Sequence, residues 1–217
     1  MNESRFWFIV AIHILSLRVP LAAQESSRSD ISVGIWTGVA WQNPTVFGEV
    51  TQRELFMAAI QLGRPVADLG PSTISWTLDL IPAMFIAAPE PPPSSPPCVG
   101  SCFFGAVSIP GLSGGRRIHG IGLAPIGIEW TWPVVGPMTF NLLSGAGVMR
   151  FAENTPHEAA SRFNFMGQFG FGVGVATGGW GQGWGGYRFT HISNGSTADF
   201  NPGLDASVWF VGWRWGA

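Results

Sequence analysis

Apolar and polar side chains alternate with a two-residue period along several stretches of this 217-residue chain. In residues 162–176 the odd positions carry mostly large apolar side chains, whereas the even positions begin with Arg162 and otherwise carry polar or small residues and one Met. Residues 73–86 show the same period, with an apolar face that continues through Met84 and Ile86. Such alternation predicts β-strands with one apolar face and one polar face, because successive side chains of a strand point to opposite sides.

This period recurs in eight segments of the chain. The predicted strands span residues 31–41, 52–64, 72–87, 116–131, 138–151, 162–176, 183–194 and 203–215. The short connections between them are 65–71, 132–137 and 177–182, and the longer or more polar ones are 42–51, 88–115, 152–161 and 195–202. Short turns and long loops on opposite ends are typical of outer-membrane barrels.

The fold prediction is all-β, an eight-stranded antiparallel transmembrane β-barrel with short periplasmic turns and longer extracellular loops. Only 11% of the residues are charged and 46% are hydrophobic, which favours contact with lipid. A closed barrel also satisfies the backbone polar groups of strands in a membrane. The alternative is a soluble β-sandwich, but its outward face should be polar, whereas the outward positions here carry Phe and Trp.

The N-terminus predicts export. Residues 6–17 form an apolar run after Arg5, and the small residues Ala22 and Ala23 follow where a signal peptidase cuts. This run is shorter than the roughly 20 residues that a membrane-spanning helix needs, which disfavours the alternative of an uncleaved anchor. We therefore predict a signal peptide at 1–23 and a barrel at 24–217 in the bacterial outer membrane.

Charge and cysteine content narrow the partners. The chain contains no lysine and has a formal net charge of −2, so no basic stripe is available for nucleic acid. Cys98 and Cys102 are the only cysteines, and in an oxidising compartment they are predicted to form a disulfide. The alternative, a zinc site, lacks a ligand cluster, so neither a metal nor a cofactor is expected.

Charged residues at inward positions predict ion pairs inside the barrel. An eight-stranded barrel has an interior just wide enough to be filled by side chains. The residues expected inside are Arg53, Asp79, Arg117, His119, Glu129, Arg162, Arg188 and Arg214. A structural network of these side chains is favoured over a transport role.

The last predicted hairpin places three polar side chains on the outward, lipid-facing wall. His191, Ser193 and Asp205 share the outward face, and if Asn194 lies opposite Pro202, Asp205 lies directly opposite His191. Opposed Cβ atoms are about 4.5 to 5.5 Å apart. A hydroxyl, an imidazole and a carboxylate in this order form the chain of groups that nucleophilic acyl transfer requires. The alternative is a set of rim residues that contact lipid headgroups or brace a loop.

The sequence around these residues resembles the lipid A 3-O-deacylases of the PagL type, also called acyloxyacyl hydrolases. The matching residues are His-Ile-Ser-Asn at 191–194, Asn-Pro-Gly at 201–203 and the carboxylate of Asp205. Gly-Tyr-Arg-Phe at 186–189 and Arg-Phe-Asn-Phe at 162–165 extend the resemblance.

This resemblance implies an enzyme of the outer leaflet that hydrolyses the ester at the 3 position of lipid A, the lipid part of lipopolysaccharide, without a metal. It implies that Ser193 is the nucleophile, His191 the general base and acid, and Asp205 the orienting carboxylate. Asn201 is implied as an oxyanion donor and Asn194 as a helper. The best known form of the family has glutamate at the acid position, and aspartate is one methylene shorter.

Two other functions remain open at this point. A non-enzymatic structural or adhesive barrel would use the proline-rich loop from Pro89 to Pro97, together with Cys98 and Cys102, to bind an external partner. A different esterase or phospholipase would use the same three outward side chains on another lipid.

Overall fold

The computed structural model describes residues 31–41, 44–50, 53–87 and 116–216. The predicted signal peptide at 1–23 and the predicted disulfide between Cys98 and Cys102 lie outside the described residues, and both stay predictions. Within the described part of the chain, no helix is long and apolar enough to cross a membrane.

Eight antiparallel strands close into one barrel, in which each strand pairs with the next and the last pairs with the first. The strands are β1 (Ser32–Ala40), β2 (Leu55–Leu69), β3 (Ser72–Ala87), β4 (Arg117–Pro133), β5 (Met138–Thr155), β6 (Ser161–Ala176), β7 (Gln182–Ser193) and β8 (Leu204–Trp215). The predicted fold class and order of strands are confirmed. We refer to the end that carries the connections after β1, β3, β5 and β7 as the loop end, and to the opposite end as the turn end.

β2 and β5 extend four or more residues beyond the ends that their patterns predict. β2 runs on to Leu69, so the connection to β3 contains only Gly70 and Pro71. Gly70 has φ +63°, which a tight turn needs and which glycine adopts without steric cost. Pro65 lies inside β2 next to a shift in register, where a residue without an N–H is tolerated. β5 continues past its predicted end to Thr155.

The faces of β6 agree with the alternation in the sequence, but those of β3 change along the strand. Phe163 and Phe165 point outward and are exposed, whereas Met84 and Ile86 are buried in the interior, not lipid-facing as predicted. The cause is an irregularity between Ile81 and Met84 in the pairing of β3 with β4. An extra residue in one strand moves every later side chain to the other face.

Among the described residues, the interior contains two ion pairs that one glutamine connects. Arg188 Nη1 lies 2.9 Å from Asp79 Oδ2, and Arg214 Nη2 lies 2.6 Å from Glu129 Oε2. Gln61 donates to Asp79 Oδ1 at 2.9 Å and accepts from Arg214 Nη2 at 2.8 Å. The predicted interior pairing is therefore confirmed for these four charges.

Two other side chains assigned to the interior are exposed. His119 points outward, with its ring centroid 5.3 Å from that of Phe85. The reason is a second irregularity, between Leu123 and Ile126 in the pairing of β4 with β5, which reverses the faces of β4 between His119 and Glu129. Arg162 is exposed near the start of β6.

Candidate active site

Strands β7 and β8 meet at the loop end in the register that the sequence predicts. His191 is paired with Asp205, and Ile192 with Leu204. His191 Nδ1 and Asp205 Oδ1 are 2.6 Å apart, so a hydrogen bond joins the two side chains across the strands. Because Ile192 and Leu204 fill the interior, their neighbours His191 and Ser193 lie on the outer wall of the barrel.

Asp205 is completely buried although it belongs to the outer wall, because the β1–β2 connection covers it. Its second oxygen, Oδ2, accepts hydrogen bonds from the backbone N–H groups of Val46, Phe47 and Gly48 at 2.7, 2.7 and 2.9 Å. A buried carboxylate is costly unless it is paired and hydrogen-bonded. Here the three amides and the imidazole meet that requirement.

The same connection continues along the start of β8. Glu49 N–H donates to Pro202 O at 2.6 Å and Val50 N–H donates to Gly203 O at 3.2 Å. Val50 also forms a parallel β-bridge with Leu204. The segment of residues 44–50, hereafter the strap, is therefore bound to the beginning of β8 through its backbone.

The imidazole of His191 is bonded on one side and open on the other. The ring centroid of Phe47 lies 5.7 Å from that of His191 in an edge-to-face contact. On β6 the residue opposite His191 is Gly167, and a Cβ there would meet no atom within 4 Å. Nε2 makes no hydrogen bond to any described residue, and 19% of the side chain is exposed. With Nδ1 engaged by the carboxylate, Nε2 is the nitrogen left to exchange a proton with a bound molecule.

Ser193 lies two residues further along β7 on the same face as His191. It is half-buried and paired with Phe165 of β6. Its hydroxyl makes no hydrogen bond to the described residues. The structure thus joins His191 and Asp205 directly and leaves Ser193 beside them, with a hydroxyl that is not engaged elsewhere in the described chain.

The two asparagines of the hairpin loop have different environments. Asn194 is buried and braces the loop, since its Nδ2 donates to Phe200 O at 2.8 Å and its Oδ1 accepts from Ser196 N–H at 2.9 Å. Asn201 Oδ1 accepts from Asn194 N–H at 3.0 Å, while Asn201 Nδ2 has no partner among the described residues. Among the described residues, Asn201 Nδ2 is therefore unengaged, whereas Asn194 Nδ2 already donates one hydrogen bond and its side chain is buried.

The strap is the part of the site that the sequence did not reveal. Its donors are backbone N–H groups, which every residue except proline has, so no side-chain motif marks them. The one signal is Gly48, because a Cβ at that position would lie 2.9 Å from both Asp205 N and Gly203 C. Among the described residues, no group of three or more His, Cys, Asp and Glu side chains could hold a metal ion.

Comparison with known protein families identifies the segment that carries the site. The family model described as "Lipid A 3-O-deacylase (PagL)" matches residues 127–214. The resemblance to the lipid A 3-O-deacylases is confirmed. The matched range contains the His191–Asp205 pair, Ser193 and both loop asparagines, whereas the strap lies before it.

Solved structures with a similar fold include two barrels. The crystal structure of the outer membrane enzyme PagL has a TM-score of 0.59 and 14% identity, over 82% of this chain and 97% of that chain. The crystal structure of Neisserial surface protein A has a TM-score of 0.52 and 12% identity, over 86% and 97%. At these identities the two structures establish the shared barrel fold and nothing further. No curated protein matches the sequence.

Proposed function

We propose that this protein is an outer-membrane serine esterase that hydrolyses the 3-O-acyl ester of lipid A. The observation that carries the proposal is the hydrogen bond between buried Asp205 and His191, with Nε2 of the imidazole open on the outer wall two residues from Ser193. The family model that matches this hairpin supports lipid A as the substrate.

The position of the site is consistent with a substrate that remains in the membrane. The outer wall beside the hairpin carries exposed Phe165, Phe169 and Trp209, which suit contact with acyl chains. In the proposed topology the signal peptide at 1–23 directs export, the turn end faces the periplasm and the loop end faces outward. The site then lies at the outer leaflet, the location of lipopolysaccharide, and the ester needs no extraction from the membrane.

The first half of the proposed reaction forms an acyl-enzyme. Ser193 Oγ attacks the carbonyl carbon of the ester while His191 Nε2 takes the hydroxyl proton. Asp205 holds Nδ1–H and stabilises the imidazolium that results. The negative oxygen of the tetrahedral intermediate accepts a hydrogen bond from Asn201 Nδ2. When the intermediate collapses, the bond to the sugar oxygen breaks and His191 returns the proton to that oxygen.

The second half releases the fatty acid. Water attacks the acyl-enzyme as His191 Nε2 takes one of its protons, and collapse breaks the bond to Ser193 Oγ, which regains a proton. The products are a 3-hydroxy fatty acid and lipid A with a free hydroxyl at the 3 position. Asn194 contributes indirectly in this scheme, because its side chain holds the loop that presents Asn201.

The test is mass spectrometry of lipid A from cells that express the wild type or Ser193→Ala. In cells that express the wild-type protein, we expect lipid A to lose one hydroxyacyl chain. In cells that express the variant, at equal amounts of folded barrel, lipid A should be unchanged. Ser144→Ala is the matched control, because Ser144 is an exposed serine on the outer wall of β5.

Three outcomes would contradict the proposal. Full activity of Ser193→Ala would remove serine catalysis. Lipid A unchanged by the wild type would favour the structural or adhesive barrel, and cleavage of phospholipids in place of lipid A would favour a phospholipase that uses the same residues.

A further inference from the structure

Five consecutive backbone N–H groups of the strap donate to one short segment of β8 and the turn before it. Those of residues 46–48 bind the Asp205 carboxylate, and those of Glu49 and Val50 bind the carbonyls of Pro202 and Gly203. Successive N–H groups that converge in this way form a concave anion site in a backbone. Here the anion is a side chain of the same protein.

We infer that the strap is a positioning element of the active site, in which residues 46–48 fix the orientation of the Asp205 carboxylate and thereby the tautomer and orientation of His191. This inference rests on the proposed function, since it assigns a role in the same reaction. Three donors hold Oδ2, so the carboxylate cannot rotate without losing them. Oδ1 is then directed at His191 Nδ1, 2.6 Å away.

Gly48 is the residue on which this arrangement depends. A Cβ at Gly48 would lie 2.9 Å from Asp205 N, 2.9 Å from Gly203 C and 3.0 Å from Gly203 O. These are backbone atoms of a paired strand and its entry turn, which cannot move aside as a flexible side chain does. Alanine at this position therefore displaces the strap and lengthens the hydrogen bonds to Oδ2.

The three N–H groups of residues 46–48 also lie at the right distance for an aspartate in particular. Asp205 Oδ2 is 2.7 to 2.9 Å from all three amide nitrogens while Oδ1 reaches the imidazole. A glutamate at 205 adds one methylene, so its carboxylate cannot keep both the three amides and the imidazole at these distances. Asp205→Glu retains the charge and shifts only its position, which makes it a second probe that leaves the strap sequence intact.

A strap that only stabilises the barrel would behave differently from one that positions catalytic groups. Loss of a purely structural contact lowers the folded fraction but leaves the folded molecules equally reactive. Loss of positioning lowers the reactivity of Ser193 in molecules that are fully folded. The measurement must therefore be made on folded barrel.

The experiment uses the full-length barrel in detergent and a fluorophosphonate probe. The probe forms an Oγ–P bond with an activated serine as fluoride leaves and the histidine takes the hydroxyl proton. We expect Gly48→Ala to lower the second-order labelling rate of Ser193 at least about tenfold, and Asp205→Glu to lower it as well, since Ser193 relies on an oriented His191. Gly179→Ala is the control, because a Cβ at Gly179 meets no atom within 4 Å; its labelling rate should equal that of the wild type.

Proton NMR of the His191 Nδ1–H gives a readout that does not depend on catalysis. The wild type should show a low-field resonance that His191→Asn removes and that Gly48→Ala shifts upfield or broadens. If Gly48→Ala keeps both the wild-type labelling rate and the wild-type resonance, the positioning role is wrong. If Gly48→Ala does not fold, Asp205→Glu decides instead: a wild-type labelling rate together with a wild-type resonance in that variant would overturn the positioning role. If the wild type itself is not labelled, the proposed esterase fails, and the resonance alone still decides whether the strap positions His191.

Discussion

Two carboxylates are buried in different parts of this barrel and have partners of different chemistry. Asp79, in the interior, accepts hydrogen bonds from Gln61 and Gln168 and pairs with Arg188, whose guanidinium lies 4.1 Å from the ring centroid of Trp36. Asp205, on the outer wall, accepts three backbone N–H groups and pairs with His191. In both cases hydrogen-bond donors offset the cost of burying the carboxylate. The partners differ, because Asp79 pairs with an arginine and Asp205 with a histidine.

This difference in partner separates a pair that can only be structural from a pair that is able to take part in proton transfer. Arg188 cannot release a proton and is enclosed by the barrel, so its pair with Asp79 can only hold strands together. The imidazole of His191, unlike a guanidinium, can both accept and release a proton, and its free Nε2 faces the outside. A carboxylate buried in a β-barrel is therefore not evidence of catalysis by itself; the identity and accessibility of its partner decide.

A second comparison separates two histidines on the outer wall near the loop end. His191 has a buried carboxylate behind it, whereas His119 contacts the ring of Phe85 and forms no ion pair with the described residues. If the hydrogen bond to Asp205 is what makes a histidine able to act in hydrolysis, replacing His191 should lower the rate and replacing His119 should not.

The largest expected effect comes from replacing His191 with asparagine, and the same replacement of His119 is its control. His191→Asn should lower the deacylation rate about 10⁴-fold or more, because the proposed general base is lost while an amide can still donate to Asp205. His119→Asn should leave the rate within about twofold of the wild type. The rates are measured as release of 3-hydroxy fatty acid from purified lipid A in mixed micelles. Equal losses in the two variants would contradict the distinction between the histidines.

The interior pair should control stability and not chemistry. Asp79→Ala leaves Arg188 buried without its counter-ion, which should cost about 3 to 5 kcal/mol of unfolding free energy. The double variant Asp79→Leu with Arg188→Met should recover most of this loss, since replacing both charges by apolar groups is often neutral.

Urea unfolding, followed by heat-modifiable gel mobility, measures the change in stability for both variants. Activity per folded molecule should stay at the wild-type value. A loss of that specific activity comparable to the one expected for His191→Asn would show that the interior network takes part in the reaction.

The smallest expected effect distinguishes the two loop asparagines. Asn201→Ala should lower kcat about 10²- to 10³-fold if its amide binds the oxyanion, with little change in KM. Asn194→Ala removes bonds to Phe200 O and Ser196 N–H, so it should mainly loosen the loop. Steady-state kinetics with hydrogen exchange of residues 194–203 separates the two. A larger kcat loss for Asn194→Ala than for Asn201→Ala would indicate that Asn194 binds the oxyanion and that Asn201 supports the loop.

Local periodicity was enough to predict the barrel and part of the site. The alternation in β6 and the hairpin register of β7 and β8 were correct, because both depend on neighbouring residues and on a short loop. That register places Asp205 opposite His191. The predicted faces of three residues were wrong: Met84 and Ile86 lie inside instead of outside, and His119 lies outside instead of inside. The reason is that single irregularities in β3 and β4 reverse the alternation, and the sequence does not mark them.

What the sequence by itself determined was the set of strands and the outward hairpin with its imidazole, hydroxyl and carboxylate. Only the tertiary structure decided how that carboxylate is held, because its donors are backbone amides of the strap, 157 to 159 residues away along the chain. Backbone N–H groups are the same in nearly every residue, so their use at a site follows from how the chain is folded and not from which side chains it carries.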